Sequence, residues 1–130
     1  GSGGALAVAV ANWVSIFEGA TYLVCPPERC AEILWRDAHR KEEAAAALRG
    51  GAYDLERFGV VDEVLREPNG GPHRDPEAAA AVLRNALERF LAGCDRGQWT
   101  AEQRQARFRR FGAYLEAQPA GVAAPLHEAG

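Results

Sequence analysis

The stretch GSGGALAVAVA, residues 1–11, places a glycine-rich turn directly before an unbroken apolar run. Glycine permits a tight turn, and the run after it predicts a short helix with side chains small enough to pack closely on a sheet. A helix that is apolar on every side has no face for water, so we expect it to be buried. The pattern alone also fits a flexible tag or a simple tight turn.

The segments that follow alternate between strand and helix signals. Residues 13–18 and 21–25 are rich in β-branched and aromatic side chains, and they predict two short strands with a break between them. Residues 26–35 predict a helix in which Pro27 stands near the first position, where its missing N–H costs nothing. This alternation indicates an α/β fold. The apolar face of the helix is predicted to contain Cys30, Ile33 and Leu34.

The middle of the chain predicts two further helical segments and a strand. An alanine-rich helix over residues 41–49 should stop at the glycine pair 50–51, where a left-handed cap is easily adopted. A helical turn over residues 53–58 should end at Gly59 in the same way. Residues 60–65 then predict a strand.

Residues 67–76 contain three prolines and two glycines, and this composition predicts a connecting loop. Asp75 and Pro76 fit the N-cap and first position of a long amphipathic helix. Apolar residues recur along that helix at four-residue spacing, so its apolar side should dock on another surface. The two rows are Val82, Ala86 and Phe90, and Leu83, Leu87 and Leu91.

A second amphipathic helix is predicted to begin at residues 100–103, which have the pattern of a capping box. It should place Phe108, Phe111 and Leu115 on one side. We interpret its arginines as a solvated face, and contact with the phosphates of a ligand or with an acidic partner surface is the alternative. Those arginines are residues 104, 107, 109 and 110. Residues 118–130 are predicted to form a flexible tail.

Composition narrows the class of protein. The 130 residues carry a net charge of -3, which argues against a nucleic-acid partner. No apolar run is long enough for a membrane helix, and the opening run lacks the basic flank of a signal peptide. The three cysteines contain no CxxC pair, and the histidines are far apart, so we expect a reduced cytoplasmic protein without a metal site.

Five segments together resemble one family, the bacterial alpha subunit of the acetyl-CoA carboxylase carboxyltransferase. They occur in the family's order and spacing and extend over roughly 110 residues. The chain departs from the family's usual pattern at Trp13, Pro26, Arg29 and Gly50-Gly51. The matching segments are SGGALA (2–7), PERCAEILW (27–35), GVVDE (59–63), EPNGGPHRDP (67–76) and residues 104–112.

The resemblance implies that residues 1–117 are the C-terminal portion, about half, of a crotonase-type domain: part of a ββα spiral followed by amphipathic α-helices. In this family a carboxyl group moves from carboxybiotin to acetyl-CoA and gives malonyl-CoA. Backbone N–H groups at a glycine turn hold the developing oxyanion, which assigns that role to Gly3 and Gly4. A helix start suits this role because its first N–H groups lack intrahelical partners.

The resemblance also implies partners. They are a beta-type carboxyltransferase subunit, the biotin carboxyl carrier protein and a chain that supplies the N-terminal half of the fold. His73 and Arg74 are candidate contacts for biotin or a partner, although a histidine in such a loop can instead hold the loop through hydrogen bonds. We interpret Cys25 and Cys30 as inert thiols in apolar surroundings.

Two other functions stay open at this point. The departures at Pro26 and Arg29 leave room for a crotonase-like decarboxylase or acyl-thioester hydrolase. The helices from Asp75 onward could instead make the chain a non-catalytic assembly subunit.

Overall fold

The computed structural model describes residues 2–111 and shows a mixed α/β arrangement. The predicted position of Leu115 and the predicted tail lie outside these residues. The elements in chain order are α1 (Ser2–Ala9), β1 (Ser15–Phe17), α2 (Pro27–Trp35), a 3-10 turn (Ala38–Arg40), α3 (Lys41–Leu48), α4 (Ala52–Arg57), β2 (Glu63–Leu65), α5 (Pro76–Asp95) and α6 (Ala101–Arg110).

Strands β1 and β2 pair in parallel, with Ile16 opposite Val64 at the centre of the ladder. Parallel strands need a long crossover, which α2, α3 and α4 provide here. The predicted α/β class is therefore confirmed. The predicted strand over residues 21–25 is wrong, because Thr21 forms only one isolated bridge, to Gly51. Because helix α4 begins directly after Gly51, at Ala52, no strand follows Gly51 that could pair with residues 22–25.

The helix starts predicted at Pro27, Asp75 and Thr100 are confirmed. The predicted glycine turn before the first helix is wrong, because α1 begins at Ser2 and contains Gly3 and Gly4. Pro27 lies in the first turn of α2, and the Asp75 carboxylate accepts a hydrogen bond from Ala78 N at 2.9 Å at the start of α5. At α6 the Thr100 hydroxyl accepts from Gln103 N while the Gln103 side chain accepts from Thr100 N. These signals are local, since each involves residues three apart or fewer.

The end of α3 differs from the prediction. Its left-handed residue is Arg49, with φ 48°, and neither glycine of the following pair adopts a left-handed backbone. Gly50 is required for space instead: a Cβ there would lie 2.0 Å from Leu23 Cδ2 and 2.8 Å from the Tyr22 carbonyl oxygen. Gly59, after α4, has φ 71°, as the glycine signal predicted.

Two small hydrophobic clusters form the core of the described residues. One contains Val14, Leu55 and Val61, and it underlies the parallel strands. In the other, Cys30 and Ala31 of α2 pack on Ala44 of α3. The small residues let the two helices approach closely, and this contact decides which face of α2 is buried. Ile33 and Leu34, predicted for that face, are instead 73% and 59% exposed.

The predicted burial of the apolar helix is wrong for the described residues. Leu6 and Val8 of α1 are 63% and 65% exposed, and Ala5 is buried. The helix contacts the rest of the described residues on its Ala5 side, where the Tyr22 hydroxyl bonds the Ala5 carbonyl oxygen. Helix α5 likewise buries Ala79, Ala86 and Gly93, whereas its leucine row stays exposed at positions 83, 87 and 91.

Candidate functional site

Gly3 and Gly4 lie in the first turn of α1, which starts at Ser2, and both are exposed. The N–H groups of a first helical turn have no acceptor within the helix. No described atom outside the helix lies within 4 Å of where a Cβ would stand on either glycine. The local packing therefore leaves the backbone of this turn open to an approaching ligand.

Helix α1 is held by a hydrogen bond that the Tyr22 hydroxyl donates to the Ala5 carbonyl oxygen at 2.8 Å. A cavity of about 420 Å³ opens beside the helix at this contact, and most of its wall is apolar. A ligand with an apolar ring or chain fits such a wall better than a charged one does. The lining residues are Ala5, Leu6, Tyr22, Leu23 and Val24.

His73 and Arg74 are exposed on the loop that precedes α5. Gly70 and Gly71 have φ 86° and 90°, and the two side chains fold back across them. Arg74 Cδ lies 2.8 Å from the position that a Cβ on Gly70 would take, and the His73 ring lies 3.0 Å from the same point on Gly71. The described cavities do not join this loop to the first turn of α1.

A polar cleft that the sequence analysis missed lies between α6 and the ends of the two strands. Its volume is about 220 Å³. Arg107 is only 8% exposed there and pairs with Asp62, whose other oxygen accepts from Val14 N at 2.7 Å. The interpretation of the arginines as a solvated face is thus wrong for Arg107. The lining residues are Asn12, Gly59, Val61, Asp62, Trp99, Thr100, Gln103, Arg104, Arg107 and Arg110.

The spacing of the arginines was the available signal for this cleft. Residues 104, 107 and 110 are three apart on α6, so they share one side of the helix. The position of Asp62 opposite them depends on a contact between residues 45 apart in the chain, which no local pattern reveals.

One carboxylate and one pair of aromatic rings connect segments that are distant in the chain. Glu18 accepts hydrogen bonds from Glu67 N and from the Tyr53 hydroxyl, both at 2.9 Å. The Glu67 backbone bond is the main cause that lowers the pKa of Glu18, and the bond to Glu18 raises the pKa of Tyr53. Trp13 packs against Trp99 with ring centroids 4.8 Å apart.

Burial raises the pKa of the Cys30 thiol, and the neighbouring Cys25 adds to the effect. A raised pKa disfavours the thiolate, which is the reactive form. Cys30 therefore has the environment of an unreactive thiol.

Residues 2–111 lack both a metal-ligand cluster and a membrane-spanning helix. No three His, Cys, Asp or Glu side chains in this part of the chain are grouped so that they could hold a metal ion. Within the same residues, no helix has the length and apolar character needed to cross a bilayer.

Comparison with known proteins gives consistent matches. A family model described as "Acetyl co-enzyme A carboxylase carboxyltransferase-like" matches residues 1–114. The acetyl-coenzyme A carboxylase carboxyl transferase subunit alpha of Rubrobacter xylanophilus is 50% identical over 116 residues, which are 88% of this chain and 36% of the relative. The subunit of the same name from Prochlorococcus marinus NATL1A is 46% identical, over 91% of this chain and 36% of the relative. The one from Gloeobacter violaceus is 54% identical, over 70% of this chain and 28% of the relative. The chain thus spans about a third of the length of the curated relatives it matches, where the resemblance had suggested half.

Proposed function

This chain belongs to the acetyl-CoA carboxylase carboxyltransferase family, and from that membership we propose that it takes part in moving a carboxyl group from carboxybiotin to acetyl-CoA. The observation that carries the proposal is the match over residues 1–114, which includes the open first turn of α1. We propose that it does so together with other polypeptide, since the matched residues make up 36% of the length of the Rubrobacter xylanophilus relative.

In the proposed reaction, the bond between the carboxyl carbon and the biotin ring nitrogen breaks, and a bond to the methyl carbon of acetyl-CoA forms. The proton that leaves this carbon passes to the ring nitrogen, so the products are biotin and malonyl-CoA. Negative charge develops on the thioester oxygen or on the biotin carbonyl oxygen during the transfer.

The role of Gly3 and Gly4 is to donate their backbone N–H groups to that oxygen. Donors fixed in a helix turn need no reorganisation as charge develops, and each commonly contributes on the order of 10²- to 10³-fold to the rate. The positive end of the α1 dipole adds to this attraction. No side-chain nucleophile is needed, in keeping with the raised pKa of Cys30.

The residues around α1 fit a biotin ring. The ring system is apolar apart from its ureido group, and the cavity beside the helix has a mostly apolar wall that ends near the first turn. Biotin arrives on its carrier protein and is a substrate here. His73 and Arg74 are proposed to contact biotin or a partner subunit, since both are exposed on a loop in which two glycines have positive φ.

The assembly we propose contains a beta-type subunit, the biotin carrier and the polypeptide that completes an alpha-type crotonase spiral, in the cytoplasm. The parallel pairing of β1 with β2 across a helical crossover supports a spiral, since each of its turns repeats that connection. The exposed apolar residues of α1 and α5 support burial against other polypeptide.

The same exposed residues favour a second candidate function, that of a non-catalytic assembly subunit. Leu83, Leu87 and Leu91 form an apolar row along α5, the kind of surface that docks on a partner. In that case the chain contributes burial and no hydrogen-bond donor to the reaction.

Assembly dependence tests the leading proposal. Carboxyl transfer from carboxybiotin to acetyl-CoA is measured for the 130-residue chain alone and after addition of a relative's beta-type subunit and the remaining alpha-type polypeptide. We expect no transfer by the chain alone and transfer by the mixture. Transfer by the isolated chain, or a mixture that transfers equally well when the chain is left out, contradicts the proposal.

A further inference from the structure

We infer that the polar cleft between α6 and the strand ends is a binding site for a phosphate group. Three guanidinium groups line it, those of Arg104, Arg107 and Arg110, and Asp62 is the one carboxylate among its lining residues. The described walls therefore carry an excess of two positive charges. The inference does not rest on the proposed carboxyl transfer, because it uses a different part of the molecule.

The hydrogen bonds of Arg107 show that Asp62 does not fully satisfy its guanidinium group. One nitrogen, Nη2, donates to Asp62 Oδ1 and, at 3.4 Å, to the Asn12 carbonyl oxygen. The other, Nη1, is buried and has no acceptor among residues 2–111. A buried cation with incomplete pairing is costly, and an anion seated in the adjacent cavity reduces that cost through its charge.

The donors that reach an anion directly are the more exposed members of the cleft. Arg104 uses Nη1 to bond Asn12 Oδ1 at 3.0 Å, which orients its guanidinium at the cleft. Gln103 accepts from Thr100 N through Oε1, so its side-chain NH₂ remains a donor. Arg110 forms no ion pair with a described residue.

The shape of this donor set favours a phosphate over a carboxylate. A phosphate presents at least three acceptor oxygens in a tetrahedron, and donors here come from two arginines and an amide on one side of α6. Planar guanidinium groups bind phosphate oxygens in pairs, which adds geometric selectivity. The cavity of about 220 Å³ has room for one such group.

The test is a titration of the 130-residue chain, followed by amide chemical shifts, with inorganic phosphate, methyl phosphate and acetate in turn. Chloride keeps the ionic strength constant. We expect saturable shifts around residues 99–107 and 59–62 for the phosphates, with weaker binding of acetate. Tighter binding of inorganic phosphate than of the ester identifies the free ion as the ligand, and the reverse identifies a phosphate monoester.

Arg110→Gln tests the site, and Arg109→Gln is its matched control. Both arginines are exposed on α6 and carry the same charge, but only Arg110 lines the cleft. Loss of one charge-assisted hydrogen bond should weaken phosphate binding about fivefold in Arg110→Gln, and the control should stay within about twofold. Absence of saturation, equal losses in the two variants, or tighter binding of acetate than of phosphate overturns the inference.

Discussion

Arg107 and Asp62 lie 45 residues apart in the sequence, and their ion pair joins α6 to the segment just before β2. Asp62→Asn keeps the size of the side chain and removes its charge, so a guanidinium that is 8% exposed loses its counter-charge. We expect the free energy of unfolding to fall by about 3–5 kcal/mol, as is typical when one partner of a largely buried pair is removed. Urea denaturation followed by circular dichroism measures the loss.

Glu43→Gln is the matched control for that experiment. Glu43 pairs with Arg40 at 2.7 Å, but both side chains are largely exposed. Such a pair contributes less than about 1 kcal/mol. Equal losses in Asp62→Asn and Glu43→Gln would contradict the buried role of Arg107.

Glu18 gives stability a defined dependence on pH. The hydrogen bond from Glu67 N, followed by that from Tyr53, lowers the folded-state pKa of Glu18 below its ordinary value of 4.5. A lowered carboxylate pKa stabilises the fold above the ordinary value, and this stability is lost as the pH falls through the folded pKa. Glu18→Gln should therefore be less stable than the natural chain at pH 7, with the difference shrinking below pH 4.5.

Thermal unfolding at several pH values between 3 and 7 measures that difference for Glu18→Gln. Glu42→Gln is the control: Glu42 is exposed on α3, and its side chain forms no hydrogen bond with a described residue. A pH-independent gap between Glu18→Gln and the natural chain would show that the carboxylate charge plays no part.

Helix α6 depends on its capping box, because most of its side chains are exposed and add little packing. Thr100→Ala removes the acceptor for Gln103 N, and we expect a loss of about 1 kcal/mol in unfolding free energy. Thr100→Ser keeps a hydroxyl and should lose less than half as much. Denaturant titrations compare the two, and equal losses would show that the hydroxyl is not the cause.

Among the helices and strands, the sequence correctly predicted the helix starts that depend on residues close together in the chain. The starts of α2, α5 and α6 follow from Pro27, Asp75 and Thr100. Pro27 acts through its own backbone, and the other two side chains bond residues three positions away. The end of α3 was predicted less well. Gly50 contacts Leu23, 27 positions away, and a glycine needed for space has the same signal as one needed for a left-handed cap.

The buried faces of the helices were also beyond local prediction. Periodicity selects an apolar face, but Ala31 of α2 is buried on Ala44 of α3 while the larger Ile33 is exposed. Which face of α2 is buried depends on how closely the two helices can approach, and the small side chains of Ala31 and Ala44 allow the close approach. Large apolar side chains exposed in this way are typical of a surface that contacts other polypeptide.

For the molecule as a whole, the α/β class and the family followed from the sequence, and the polar cleft did not. Gly3 and Gly4 were recognisable because their signal lies in one short segment. The cleft needs Asn12, Asp62 and three arginines from separate parts of the chain, and only the fold brings them together. The spiral and the role of the glycine turn stay predictions.

The central claim is that backbone N–H groups of the first turn of α1 stabilise the oxyanion. Gly3→Pro and Gly4→Pro each remove one N–H at a helix start, where proline is tolerated. Gly3→Ala and Gly4→Ala keep the N–H, and no described atom outside the helix lies within 4 Å of the added Cβ.

The most direct test is the rate of carboxyl transfer by the reconstituted assembly with each variant. We expect a loss on the order of 10²- to 10³-fold for a proline variant and at most about tenfold for the matched alanine variant. Proline variants that assemble normally and transfer the carboxyl group as fast as their alanine counterparts would contradict the account.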